Sequence, residues 1–139
     1  MEFETENLIK AYLKLNRKPI RKYGKVVLPS SIILDQTKIS KDGYVQHTIS
    51  EYKGVQIVQM KPSEKIGKSG EKGENNVCKF VINEEKRLTT IPIQIRKHFS
   101  LSDGSEILFF VDLEGYPCYI IPPGEEKALY TTVHMLFHV

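Results

Sequence analysis

RLTTIPIQIRKHFSLSDGSEILFF, residues 87–110, is the stretch whose reading decides the fold. It opens on a β-branched run that Pro92 ends. Proline fits the first turn of a helix. Ile93, Ile95 and Phe99 alternate with Gln94, Arg96 and Lys97, which predicts a short helix through about Phe99. Ser102-Asp103-Gly104 turns the chain, and EILFFV (106–111) is a second apolar run. Such a helix is too short to be a helix-turn-helix recognition element. Arg96, Lys97 and His98 therefore sit on a brief bracket between two strands.

Working outward, YPCYII (116–121) follows DLEG, and Glu114-Gly115 supports a hairpin there. Upstream, VCKFVI (77–82) reads as a strand and residues 83–86 as a polar turn. The first half of the chain repeats this outline. KVVLP (25–29) is a strand ended by proline, and Ser30-Ser31 caps a brief helix into IILDQ. Lys41-Asp42-Gly43 is a turn, and YVQHTIS (44–50) and VQIVQM (55–60) form a hairpin about residues 51–54. Pro29 and Pro92 mark equivalent positions, so the pattern predicts an internal duplication. Halves this small have to share one core.

The expected organisation is an N-terminal helix over 1–16, a first half-repeat over 17–60, a flexible linker over 61–76, a second half-repeat over 77–124 and an apolar tail over 125–139. Leu8, Ile9, Tyr12 and Leu13 make the helix stripe, and Pro19 stops it. The linker KPSEKIGKSGEKGENN carries three glycines, four lysines and three glutamates, and almost no apolar side chain. The tail ALYTTVHMLFHV is apolar to its end, so it is expected to pair into the sheet or seal an interface with another copy.

With 139 residues, 40% hydrophobic and 27% charged, the composition is that of a globular protein of one domain or two very small ones. The net charge of +3 decides little, but its distribution says more. Lys10, Lys14, Arg17, Lys18, Arg21, Lys22 and Lys25 follow one another, with no acid between Glu6 and Asp35. Such a block is either an electrostatic footprint for phosphate or a solvated face. No apolar run is long enough to cross a bilayer, so no membrane partner is expected. The acidic opening MEFETEN carries no signal-peptide n-region, which places the chain in the cytoplasm as an expectation. Cys78 and Cys118 share no metal-ligand spacing and read as buried or free thiols. HMLFH puts His134 and His138 four apart without the glutamate of a zinc protease. GKSGEKG lacks phosphate-loop spacing, and no nucleophile elbow occurs. No enzyme, metal or cofactor is therefore expected.

IPIQIRKHFSLSDGSEI (91–107) resembles the AbrB/MazE/SpoVT family of swapped-hairpin DNA-binding domains: a polar turn, a β-branched pair, Ile-Pro, a short helix ending in basic residues, then a hairpin. Gly24-Lys25-Val26-Val27-Leu28-Pro29 carries a weaker copy. Two copies in one chain are similar to the duplicated, MraZ-type members, whose Asp-x-x-x-Arg motif is matched by residues 83–87 with Asn83 for Asp. Two departures stand out. Lys86 replaces the glycine before the arginine, and Arg87 lies one residue further from the proline than usual, which a β-bulge would absorb. The first half has Ser30, Ser31, Ile32 and Ile33 where the family has its basic pair.

The resemblance implies a mostly β fold with short helices. In it, two half-repeats interleave hairpins into a β-barrel-like body, within one chain as a pseudo-dimer or between two chains as a homodimer. It implies a DNA-binding transcriptional regulator on the nucleoid, gripping double-stranded DNA from turns and short helices. The candidate contacts are Arg17, Lys18, Arg21, Lys22 and Lys25 in the first half, and Lys86, Arg87, Arg96 and Lys97 in the second. For Arg96 the competing reading is an ion pair with an acid such as Glu106. The alternative for the whole chain is a protein-interaction module, for example an antitoxin that neutralises a toxin partner.

Overall fold

The computed structural model describes residues 2–30, 42–63, 76–82 and 87–137. Helix α1 (Glu2–Asn16) leads into the short strand β1 (Arg17–Pro19). A single 3-10 turn (Lys22–Gly24) connects β1 to β2 (Lys25–Val27). The first half continues through the long hairpin β3 (Asp42–Tyr52) and β4 (Val55–Ser63). The second half contains β5 (Val77–Ile82), β6 (Arg87–Thr90), α2 (Ile93–His98), β7 (Glu106–Val111), β8 (Pro117–Ile120) and α3 (Glu126–Phe137). The fold is mostly β, as expected, with an N-terminal helix.

The eight strands among the described residues share one antiparallel sheet in the order β1-β7-β8-β4-β3-β5-β6-β2. Its edge strands β1 and β2 are consecutive in the chain and touch, so the sheet curls into a barrel-like body. The order carries an exchange. The first strand of each half pairs with the hairpin of the other half: β1 with β7, and β5 with β3. The remaining contacts between halves pair like with like, β2 with β6 and β4 with β8. Exchanging the two halves leaves every one of these pairings in place, a pseudo-twofold symmetry of connectivity.

The β2–β6 pair lies on that symmetry. Val26 faces Thr89 at its centre, with Lys25 opposite Thr90 and Val27 opposite Leu88. Beyond the ladder, the Leu28 N–H donates to the Arg87 carbonyl and the Ile91 N–H donates to the Gly24 carbonyl, both at 2.8 Å. Gly24 and Arg87 are thus equivalent, as are Pro29 and Pro92. The expected bulge near Arg87 is absent: β6 runs in unbroken register against both β5 and β2. The additional residue displaces Arg87 onto the position of Gly24 and leaves the pleat intact.

The sheet is buried on both faces where β7 and β8 run. Ile107, Phe109 and Tyr119 point inward to a core shared with Val26, Val45, Val58 and Ile91. Leu108, Phe110, Cys118 and Ile120 point outward, beneath Leu13 of α1 and Leu129 and Val133 of α3. This is why EILFFV is apolar without alternation, whereas β3 alternates buried Val45 and His47 with exposed Gln46 and Thr48. The Tyr12 hydroxyl fastens α1 to β7 by donating to the Phe109 carbonyl at 2.6 Å.

Three expectations are corrected. The C-terminal tail does not pair into the sheet: residues 126–137 are helical, and Leu129, Val133 and Leu136 fall on one helical face against the sheet. Its β-branched Thr131-Thr132-Val133 resembles a strand, but burial at i, i+4 and i+7 prevails over local propensity. The linker begins later than residue 61, because Lys61, Pro62 and Ser63 extend β4 opposite Gln46, Val45 and Tyr44. Leu8 is exposed rather than part of the buried stripe of α1. The expected helix in IILDQ (32–36) and the 83–86 turn lie outside the described residues, as do linker residues 64–75. Among the described helices none is long and apolar enough to cross a membrane.

One polar pair sits in the inner core. His47 Nδ1 and the Tyr119 hydroxyl share a 2.7 Å hydrogen bond, and His47 Nε2 is buried without a partner. Burial lowers the His47 pKa from 6.5 to about 3. Between those values the unfolded chain binds a proton that the folded one refuses. Stability from this residue is therefore complete above pH 6.5 and falls as the pH drops toward 3, by up to about 1.4 kcal/mol per pH unit. Urea unfolding from pH 7 to pH 4.5 is expected to show this slope. The double variant His47→Leu/Tyr119→Phe, which leaves neither group unpaired, is expected to lose that part of it.

Candidate nucleic-acid interface

The exchange of strands brings the β1–β2 loop of the first half against α2 of the second. The Ile20 N–H donates to the Ser105 carbonyl and the Gly104 N–H to the Ile20 carbonyl, both at 2.7 Å. The loop then folds tightly on itself through Arg21 N–H to the Lys25 carbonyl, also 2.7 Å. Buried Ile95 and half-buried Phe99, four apart, anchor α2 on the core. Ile93, Gln94 and Lys97 are left on its exposed face.

Arg96 joins these two segments. Its Nε donates to the Ile91 carbonyl at 2.9 Å. A Cβ built on Gly24 would lie 2.7 Å from that same nitrogen and 2.9 Å from the Ile91 oxygen. Gly24 has φ +76°, so two constraints coincide there: a left-handed backbone and a guanidinium packed where a side chain would stand. The Arg96 charge also opposes the burial that pushes the Cys78 thiol up to about 11. The competing reading of Arg96, an ion pair with Glu106, is not what the structure shows. Glu106 lies instead 3.9 Å from Arg17.

The remaining sequence candidates divide. Arg21 and Lys22 are exposed on the β1–β2 loop, Lys25 is exposed at the start of β2, and Lys97 is exposed on α2, the helix whose Arg96 packs against Gly24 of that loop. Arg87 is exposed at the opposite end of the β2–β6 ladder, about 10 Å away at strand rise. Lys86 lies outside the described residues. Lys18 is half-buried in β1 opposite Ile107. Arg17 points to the other face of β1, toward the helices, and lines a separate cleft.

Two residues of these segments were not singled out from sequence. Tyr23 is 71% exposed at φ 65°, with the Lys22 ammonium 5.3 Å from its ring centre. Ile93 is also exposed, on the first turn of α2. The alternation of aromatic and basic residues in RKYGK is the signal that points to Tyr23. The arrangement offers mobile ammonium groups, one guanidinium and an aromatic face, which suit phosphate and sugar-base surfaces.

No protein-family model matches the chain, and neither a curated protein nor a solved structure matches it.

Gly24→Ala is expected to destabilise the fold by about 2–4 kcal/mol, the sum of backbone strain and overpacking. Gly54 has φ +83° with nothing within 4 Å of its hypothetical Cβ. Gly54→Ala is therefore expected to cost only the backbone share, about 1 kcal/mol. Paired urea titrations check the difference.

Proposed function

We propose that the chain is a DNA-binding transcriptional regulator of the AbrB-like kind, an internal pseudo-dimer acting in the cytoplasm on the nucleoid. One observation carries the reading: the loop that bears exposed Arg21, Lys22 and Tyr23 in one half packs through Gly24 on Arg96 of α2 in the other, the helix that bears exposed Lys97. The pseudo-twofold pairing supports the resemblance in 91–107, because a swapped-hairpin body requires each half to complete the other.

The mechanism follows from side-chain chemistry. Lys22, Lys25 and Lys97 neutralise phosphates as point charges, and Arg21 brings a planar fork suited to phosphate or to a guanine edge. Arg96 acts indirectly: it holds the loop on α2 and so sets the spacing of the cations. Arg87, displaced along the ladder, reaches a second stretch of backbone. With six-residue α2 as its helix, this surface reads DNA chiefly through phosphate positioning and groove shape.

Fluorescence anisotropy of a mixed-sequence duplex across a salt series tests the proposal. Log affinity is expected to fall linearly with log salt, and Arg21→Ala/Lys22→Ala to reduce the slope by about two units, close to 0.9 per lost phosphate contact. Tyr23→Ala is expected to weaken binding with the slope unchanged. Absence of duplex affinity at low salt would refute the regulator and favour the protein-interaction module.

A further inference from the structure

A second, independent feature lies on the helix-covered side of the barrel. α1, the N-terminal turn of α3, the turn after α2 and the segment after β8 border an open cleft of about 940 Å³. That is the upper range for sites that take drug-sized ligands. One wall carries Lys10 and Lys14, one turn apart on α1, and then Arg17 just beyond the end of the helix. The floor includes Leu13, Leu129, Phe99 and Tyr130. Glu106 and Glu126 are the carboxylates on the lining, so cations outnumber acids there.

Arg17 is the cation on this lining with the geometry to receive an anion. Its Nε is buried and has no hydrogen-bond partner. The Glu106 carboxylate approaches another nitrogen of the same guanidinium only to 3.9 Å, beyond hydrogen-bond length. The Nε itself is closed to solvent, but the side chain as a whole is 31% exposed and lines the cleft, and a guanidinium fork is shaped for a two-oxygen acceptor. The same lining carries aromatic and aliphatic side chains, Phe99, Tyr130, Leu13 and Leu129.

We propose that this cleft binds an amphipathic organic anion, an aromatic or aliphatic body bearing one carboxylate, sulfonate or phosphate. The head group docks on Arg17 and is neutralised by Lys14 and Lys10. The body lies over Leu13 and Leu129 between Phe99 and Tyr130. The site shares no residue with the segments assigned to DNA, so it stands whether or not that assignment does.

The test uses the intact chain at pH 7 with 8-anilinonaphthalene-1-sulfonate as probe, read by its fluorescence and checked for stoichiometry by calorimetry. Saturable one-to-one binding is expected. Arg17→Gln is expected to weaken it at least tenfold and Arg17→Lys less. Lys97→Gln on α2 and Leu113→Ser at the far hairpin tip are expected to leave it unchanged. Should Arg17→Gln fail to fold, the exposed pair Lys10→Gln/Lys14→Gln is expected to weaken binding severalfold at an unaltered urea midpoint. Phenyl phosphate is expected to displace the probe at lower concentration than inorganic phosphate. Equal potency of the two phosphates would overturn the amphipathic class. Non-saturable binding, or an affinity indifferent to Arg17 and to the lysine pair, would overturn the site.

Discussion

The antiparallel pairing of β2 with β6 is the constraint on which the other features rest. It is three residues long on each side, centred on Val26 and Thr89, and it is the one place where the two halves meet strand to equivalent strand near their prolines. Its flanking bonds, Leu28 to Arg87 and Ile91 to Gly24, are reciprocal. With those made, β1 is carried to β7 and β5 to β3, and each hairpin is completed by a strand from the other half. Each half on its own would leave a hairpin edge unpaired and its inner face open.

The same pairing decides where chemistry can reside. By bringing Gly24 under the Ile91 carbonyl it places the β1–β2 loop against α2, and Arg96 closes the joint from the second half. Backbone geometry, rather than charge, thus sets the cation-bearing loop against the helix that carries Arg96 and Lys97. The two faces of β1 then separate neighbouring residues: Ile20 enters the inner core, while Arg17 turns toward the helices. Cations adjacent in sequence come to serve two different surfaces.

Much of this was legible in the sequence, and the reasons for the exceptions are physical. β5 and β7 and the two hairpins follow from β-branched and aromatic runs punctuated by glycine turns, all local signals. The equivalence of Pro29 and Pro92 pointed to a repeat without revealing which strand pairs with which, because pairing is non-local. β1 has three residues and no strand propensity, and exists only because Leu108 and Ile107 of β7 receive it. α3 was masked by Thr131-Thr132-Val133, although Leu129 and Val133 carried the helical spacing. The work of Arg96 on Gly24 was hidden because its partner lies in the other half of the chain. Tyr23 could be read as aromatic among cations, but its exposure depends on the positive φ of the turn.

If segments of both halves form one DNA-facing surface, amide chemical shifts of the intact protein will register it on addition of a mixed-sequence duplex at low salt. Perturbations are expected at residues 21–25 and at Ile93, Gln94 and Lys97 together, with Leu129 and Val133 of α3 unmoved. Shifts in only one of those two segments, or a response centred on the helix-covered side, would contradict it.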